Sequence, residues 1–132
     1  MPRFSKRSLE NLSTCHPLLQ LVAKEAIKYV DFSIIWGHRP EDKQDMFFRE
    51  GFSDLKWPFS KHNKVPSEAF DIVPWPINWD DRERFFYLAG VIFTVAKNNS
   101  VKEIPLRWGG AWDGSFNVKG QRDDLAHFEL LD

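Results

Sequence analysis

The sequence predicts an α+β fold, with a small, mostly antiparallel sheet flanked by helices. Three observations lead there. Long stretches carry apolar residues at three- and four-residue steps, the spacing of one buried helix face. Four short runs are rich in β-prone residues. The two kinds of segment are interspersed without a regular βαβ rhythm, which argues against a parallel sheet.

Taken in order, residues 17–30 predict a helix. Pro17 suits its first position, and Leu18, Leu19, Val22, Ala23, Ala26, Ile27 and Val30 form one apolar stripe. Phe32-Ser33-Ile34-Ile35-Trp36 predicts a strand, broken by Gly37-His38-Arg39-Pro40. Pro40 opens a second helix to about Glu50, stopped by Gly51. Residues 51–65 predict a loop carrying aromatic and basic side chains. Ala69-Phe70-Asp71-Ile72-Val73 predicts a second strand, ended by Pro74-Trp75-Pro76. Asn78 is the expected cap of a long helix, with Asp80 and Asp81 in its first turn and Asn98-Asn99-Ser100 at its end. Residues 105–108 and 126–130 predict the last two strands. Trp75, Trp79, Trp108 and Trp112 are expected mostly in the core or a cleft wall. His16 and His38 are expected in exposed loops, without a role.

Composition narrows the function. The chain has 132 residues, 42% hydrophobic and 15% aromatic, enough for one domain with its own core. The formal net charge of −1 gives no phosphate-binding surface, so nucleic acid is not the expected partner. Cys15 is the only cysteine, which excludes an intrachain disulfide and a cysteine-rich zinc knot. It is expected as a small core residue. The basic start has no apolar run behind it, so no signal peptide is expected, and no segment reaches the roughly 20 apolar residues of a membrane span.

The chemistry concentrates in two places. Ser60-Lys61-His62 is followed by Ala69-Phe70-Asp71, and Asp124-Leu125-Ala126-His127-Phe128-Glu129 lies near the end. His62, Asp71 and His127 offer two imidazoles and a carboxylate, a set that holds zinc with one position left open. Asp71 sits among Phe70, Ile72 and Val73, and a carboxylate buried there needs a cation. Period two puts His127 and Glu129 on one strand face. Asp124, three residues before His127, is the candidate general base for an attacking water. Arg39 is a candidate for holding a substrate carboxylate or an oxyanion, and is otherwise an ion-pair residue. A water-activating hydrolase is the reading these residues support.

These motifs resemble the zinc D-alanyl-D-alanine carboxypeptidase and L-alanyl-D-glutamate endopeptidase family, in particular its single-domain bacteriophage endolysins. Gly37-His38-Arg39 is similar to the family's Gly-x-Arg turn. Asn78-Trp79-Asp80-Asp81 is similar to the start of its long helix, and Leu106-Arg107-Trp108-Gly109-Gly110-Ala111-Trp112 to its Gly-Gly/Ala-x-Trp segment. The resemblance implies Zn2+ on His62, Asp71 and His127, Asp124 as base, Arg39 near the scissile carbonyl and Ser60 as a substrate contact. It implies peptidoglycan stem peptides as substrate, cut at the L-alanyl-D-glutamate bond. The alternatives are a D-alanyl-D-alanine carboxypeptidase and a non-catalytic zinc-stabilised binding module. One catalytic domain over residues 1–132 is expected, monomeric and without a membrane anchor. It is expected to be made in the host cytoplasm and to reach the wall after holin-type release. Three features depart from the family: a longer loop around Lys64-Val65-Pro66, Ala111 where an acidic residue is frequent, and Asp124 where many relatives carry Glu.

Overall fold

The computed structural model describes residues 2–99, 102–114 and 123–132. The elements run α1 (Lys6–Ser13), α2 (Pro17–Ala26), β1 (Phe32–Trp36), α3 (Glu41–Arg49), β2 (Ala69–Pro74), α4 (Arg82–Lys97), β3 (Leu106–Trp108) and β4 (His127–Leu130), with a 3₁₀ turn at Lys61–Asn63. The strands form one sheet in the order β1-β2-β4-β3, and every pairing is antiparallel. The α+β architecture expected from the sequence is therefore the one observed.

Alternation divides the sheet into two faces. Phe70 pairs with Phe128, which pairs with Trp108, and this side turns into the core. Phe128 lies within 6.3 Å of Phe70, 6.0 Å of Phe93 and 6.1 Å of Trp108, measured between ring centroids. Helix α4 covers this face with Phe85, Leu88, Ala89, Ile92, Val95 and Ala96, and α2 packs against α4. The opposite face carries Asp71, His127, Glu129 and Arg107, in register across three strands. A bulge between Ile34 and Trp36 sets Trp36 opposite Asp71, bringing an aromatic ring to the polar face.

Several boundaries differ from the sequence expectation. Helix α2 stops at Ala26 with Ile27 as its cap, and residues 27–30 form a turn rather than a last helical turn. Asn78 does not cap α4. Its side chain accepts from the Asp80 N–H at 3.1 Å, closing a local turn, and the helix begins only at Arg82 behind Asp81. Helix α1 has no counterpart among the sequence-derived elements. Ser5 caps it, accepting from the Ser8 N–H at 3.1 Å. Ser8 and Asn11 then face the outer edge of β1. The Ser8 hydroxyl accepts from the Ile34 N–H at 3.0 Å, and the Asn11 amide donates to the Ile34 carbonyl at 2.7 Å. The helix thus satisfies backbone groups that an edge strand leaves open.

Two of the four tryptophans expected in the core or a cleft wall, Trp75 and Trp79, depart from expectation. Trp108 is core, but Trp75 and Trp79 are more than half exposed and Trp112 is at 36%. Arg84 donates to the carbonyls of Pro76 and Trp75, which holds that corner outside the core. Trp79 stacks on Phe85 at 5.5 Å instead of entering below it. His16 and His38 are partly buried, not exposed. His16 caps α2 by accepting from the Leu18 N–H at 3.0 Å. Cys15 is buried as expected, and burial pushes its thiol up to about 12, which makes it a poor nucleophile. Among the described residues no helix is long and apolar enough to cross a membrane.

Candidate metal centre

His62 stands on the 3₁₀ turn, and local polar residues build that turn. The Ser60 hydroxyl accepts from the His62 N–H at 3.2 Å, while Asn63 Oδ1 accepts from the Ser60 N–H at 3.1 Å, a reciprocal cap. The turn is laced to the Gly37-His38-Arg39 segment. The Arg39 N–H donates to the His62 carbonyl at 2.7 Å, and Asn63 Nδ2 donates to the Arg39 carbonyl at 2.9 Å. Asp71 comes from the middle of β2, and His127 opens β4 directly opposite it. Three remote stretches therefore converge on the polar face of the sheet.

The facing atoms form a nearly equilateral triangle. His62 Nε2 lies 3.1 Å from Asp71 Oδ1 and 3.2 Å from His127 Nδ1, and His127 Nδ1 lies 3.2 Å from Asp71 Oδ1. All three residues are buried. Hydrogen bonds on the far side of each ring decide which nitrogen faces inward. His62 Nδ1 is 2.8 Å from the Gly37 carbonyl, which can only accept, so Nδ1 carries the proton. His127 Nε2 is 2.8 Å from Glu129 Oε1 and donates in the same way. With both rings neutral, two imidazole lone pairs turn toward a carboxylate oxygen, three acceptors aimed at one point. Such a cluster can hold a metal ion. Tetrahedral zinc with ligand bonds of about 2.0–2.1 Å separates its ligands by roughly 3.3–3.4 Å, close to the observed spacing. The donor set and its geometry fit that ion.

The surroundings stabilise negative charge at the centre. In the metal-free protein burial raises Asp71, but attraction to His62 and hydrogen bonds from both imidazoles, which then carry protons on their inward nitrogens, outweigh it and hold the carboxyl well below its usual range. Burial lowers His127, yet hydrogen bonds to Asp71 and Glu129 prevail and lift it to about 9 in the metal-free protein. Glu129, against the effect of its own burial, is drawn to about 2 by His127 and Arg107. The second Asp71 oxygen, Oδ2, accepts from Arg39 Nη2 at 3.2 Å.

Arg39 is only 4% exposed. Its guanidinium lies 4.4 Å from the Phe47 ring centroid and 5.2 Å from that of Trp36, and Nη1 donates to Gln44 Oε1 at 3.1 Å. Its Nε is buried with no hydrogen-bond partner among the described residues. Gln44 and the Asp71 carboxylate thus share the two Nη groups.

Asp124 lies in the turn that leads into β4, its carbonyl accepting from the His127 N–H at 3.1 Å. Its N–H donates to the Gly109 carbonyl at 2.8 Å. Much of its surface meets solvent, yet its carboxyl is raised, first by partial desolvation and then by repulsion from Asp71. His127, His62 and the Ala126 N–H offset part of that rise. The side chain is close enough to the triangle to feel each ligand's charge. The Gly109-Gly110 segment makes this approach possible, because a Cβ on Gly109 would fall 2.1 Å from the Asp124 carbonyl oxygen. Trp112 forms a neighbouring wall, its ring 5.3 Å from that of His127.

Sequence reasoning did not single out Gln44, Asn63 or the Gly37 carbonyl, which tie Arg39 and His62 in place. Gln44 is fully buried on a helix with no other buried residue, so no apolar stripe marked it. Glu129 was visible through its period-two relation to His127, though its second partner, Arg107, was not.

Comparison with known proteins places the whole chain in one family. Residues 1–131 match the family model described as phage L-alanyl-D-glutamate peptidase. The chain is 31% identical to the L-alanyl-D-glutamate peptidase of Escherichia phage T5 over 138 aligned positions, covering 98% of each chain. The crystal structure of the Serratia marcescens L-Ala D-Glu endopeptidase ChiX superposes with a TM-score of 0.77 at 28% identity, covering 99% of this chain and 90% of that one.

Proposed function

The chain belongs to the phage L-alanyl-D-glutamate peptidase family and is a peptidoglycan peptidase; from that premise we propose that it cuts the L-alanyl-D-glutamate bond of stem peptides, using zinc held by His62, Asp71 and His127. The observation that supports the proposal is the triangle of buried donor atoms at 3.1–3.2 Å, whose spacing and chemistry fit a divalent ion. When bound, such an ion supplies Lewis-acid activation of water and of the scissile carbonyl.

The protein's own residues do the remaining work. Asp124 takes the proton of the attacking water and passes it to the departing amine. Its raised affinity for protons suits both halves of that exchange. Arg39 holds Asp71 by its outer oxygen and so fixes the direction of the inner one. The Gly37 carbonyl fixes His62 with Nε2 inward. Ser60 keeps the His62 turn closed; it is buried, so the substrate contact proposed for it would be made only at the small surface it leaves open. Trp112 shields one side of His127. In this reading one catalytic domain spans residues 1–132 and acts as a monomer. It is made in the host cytoplasm and reaches the wall after holin-type release.

Digestion of isolated peptidoglycan with the zinc-loaded protein, followed by mass spectrometry of the new ends, tests the reading. Fragments ending in L-alanine and beginning with D-glutamate are expected. Release of free D-alanine instead would assign a carboxypeptidase, and no new amino groups at all would assign a binding module.

A further inference from the structure

The two candidate ligand imidazoles face the centre through different nitrogens. His62 turns Nε2 inward and is held by a backbone carbonyl, a fixed part of the Gly37 turn. His127 turns Nδ1 inward, and its orientation depends on a side chain, Glu129 Oε1 at 2.8 Å from Nε2. Glu129 is itself held. Its other oxygen accepts from Arg107 Nη2 at 2.8 Å, and Lys61 Nζ lies 3.9 Å from the same atom. Arg107 stands directly across from Glu129 in the β3–β4 register, on the polar face of the sheet. Its guanidinium lies 5.7 Å from the ring centroid of Trp112, the wall beside His127.

We propose that Glu129 is a positioning residue that keeps His127 in its Nε2–H form with Nδ1 free for the metal, and that Arg107 acts on the centre through Glu129. The inference rests on the metal-centre reading above and deepens it. The structure favours this role over a plain Arg107–Glu129 ion pair in one respect. Glu129 is only 7% exposed and divides its two oxygens between the guanidinium and the imidazole. Burying a carboxylate is costly unless both oxygens are used. A hydrogen-bonded partner of this kind sets the tautomer and ring direction of a metal ligand.

Zinc affinity, measured by competition with a chromogenic chelator, and ¹⁵N resonances of the histidine rings together test this. Glu129→Leu is expected to weaken zinc binding by about 10–100-fold and to abolish the Nε2–H signal of His127 while leaving the His62 ring unchanged. Glu129→Gln retains an oxygen that accepts the same proton, so it is expected to recover most of the affinity. Arg107→Met is expected to give a smaller loss, and Arg107→Met with Glu129→Leu no more than Glu129→Leu alone, since coupled residues are not additive. Should Glu129→Leu not fold, Glu129→Gln still moves the His127 Nε2 resonance and not those of His62. Wild-type zinc affinity in Glu129→Leu, or unmoved His127 resonances in both Glu129 variants, overturns the proposal. A double variant that loses the sum of the two single effects overturns the part assigned to Arg107. Absence of zinc binding by the wild-type protein overturns the underlying metal reading, and this inference with it.

Discussion

A carboxylate and two neutral imidazoles that point at one another are each other's worst neighbours until a cation arrives. Asp124, beside them but bonded elsewhere, is free to handle protons. Asp124→Asn keeps the shape and removes that ability. Zinc stoichiometry is expected to stay at the wild-type value while turnover falls by about 10²–10⁴-fold. Unchanged turnover in a steady-state assay removes the base assignment. At this scale the sequence was informative where residue type carries the chemistry. His62, Asp71 and His127 stand out because an aspartate within an apolar strand needs a counter-charge. Arg39 stood out as well, but its burial against Asp71 depends on a contact between residues 32 apart, which no local pattern contains. The same is true of Gln44.

Between residue and fold lie the turns that present these groups. Gly37 shows why backbone matters there. Its carbonyl accepts from His62, and its Cα passes so close to the end of α1 that a Cβ would lie 2.2 Å from Thr14 Oγ1 and 2.4 Å from the Asn11 carbonyl oxygen. Gly37→Ala is expected to cost about 1–3 kcal/mol by overpacking, read by chemical denaturation of the metal-free protein. It should also weaken zinc binding, because the displaced carbonyl releases the His62 ring. A fully stable variant with normal zinc affinity contradicts this account. Strand cores were legible because β-prone runs bounded by proline and glycine mark them; β1 spans the residues expected. Helix ends were less so. Asn78 has the chemistry of a cap, yet it closes its own turn and leaves α4 to begin four residues later. Helix α1 escaped notice because it buries only Ser8 and Leu12, a stripe too thin to register as periodicity. Its purpose is to cover a strand edge, which only the assembled sheet defines.

For the molecule as a whole, the centre joins the 3₁₀ turn, β2 and β4, so a metal bound there would link its affinity to stability. Without metal, a proton takes the place of the ion. His127 then titrates at about 9 rather than its ordinary 6.5. Its raised value means that its stabilisation is complete below about 6.5 and disappears as pH rises through 9. Glu129, depressed from 4.5 to about 2, stabilises above its ordinary value and loses that contribution as pH falls toward 2. The metal-free protein should thus melt at its highest temperature between these limits and weaken from pH 6.5 to 9. Zinc competes with the His127 proton, so the gain in melting temperature on adding zinc should widen over the same rise. Calorimetry in chelator and in zinc checks both; a metal-free melting temperature that is flat across this range contradicts the assigned proton.

In the proposed function, three side chains from distant segments hold one divalent ion. Anomalous diffraction at the zinc edge from crystals of the zinc-loaded protein measures this directly. One strong peak per chain is expected, about 2.0–2.1 Å from each of His62 Nε2, Asp71 Oδ1 and His127 Nδ1. No peak at that point, or an ion bound through other residues, contradicts it.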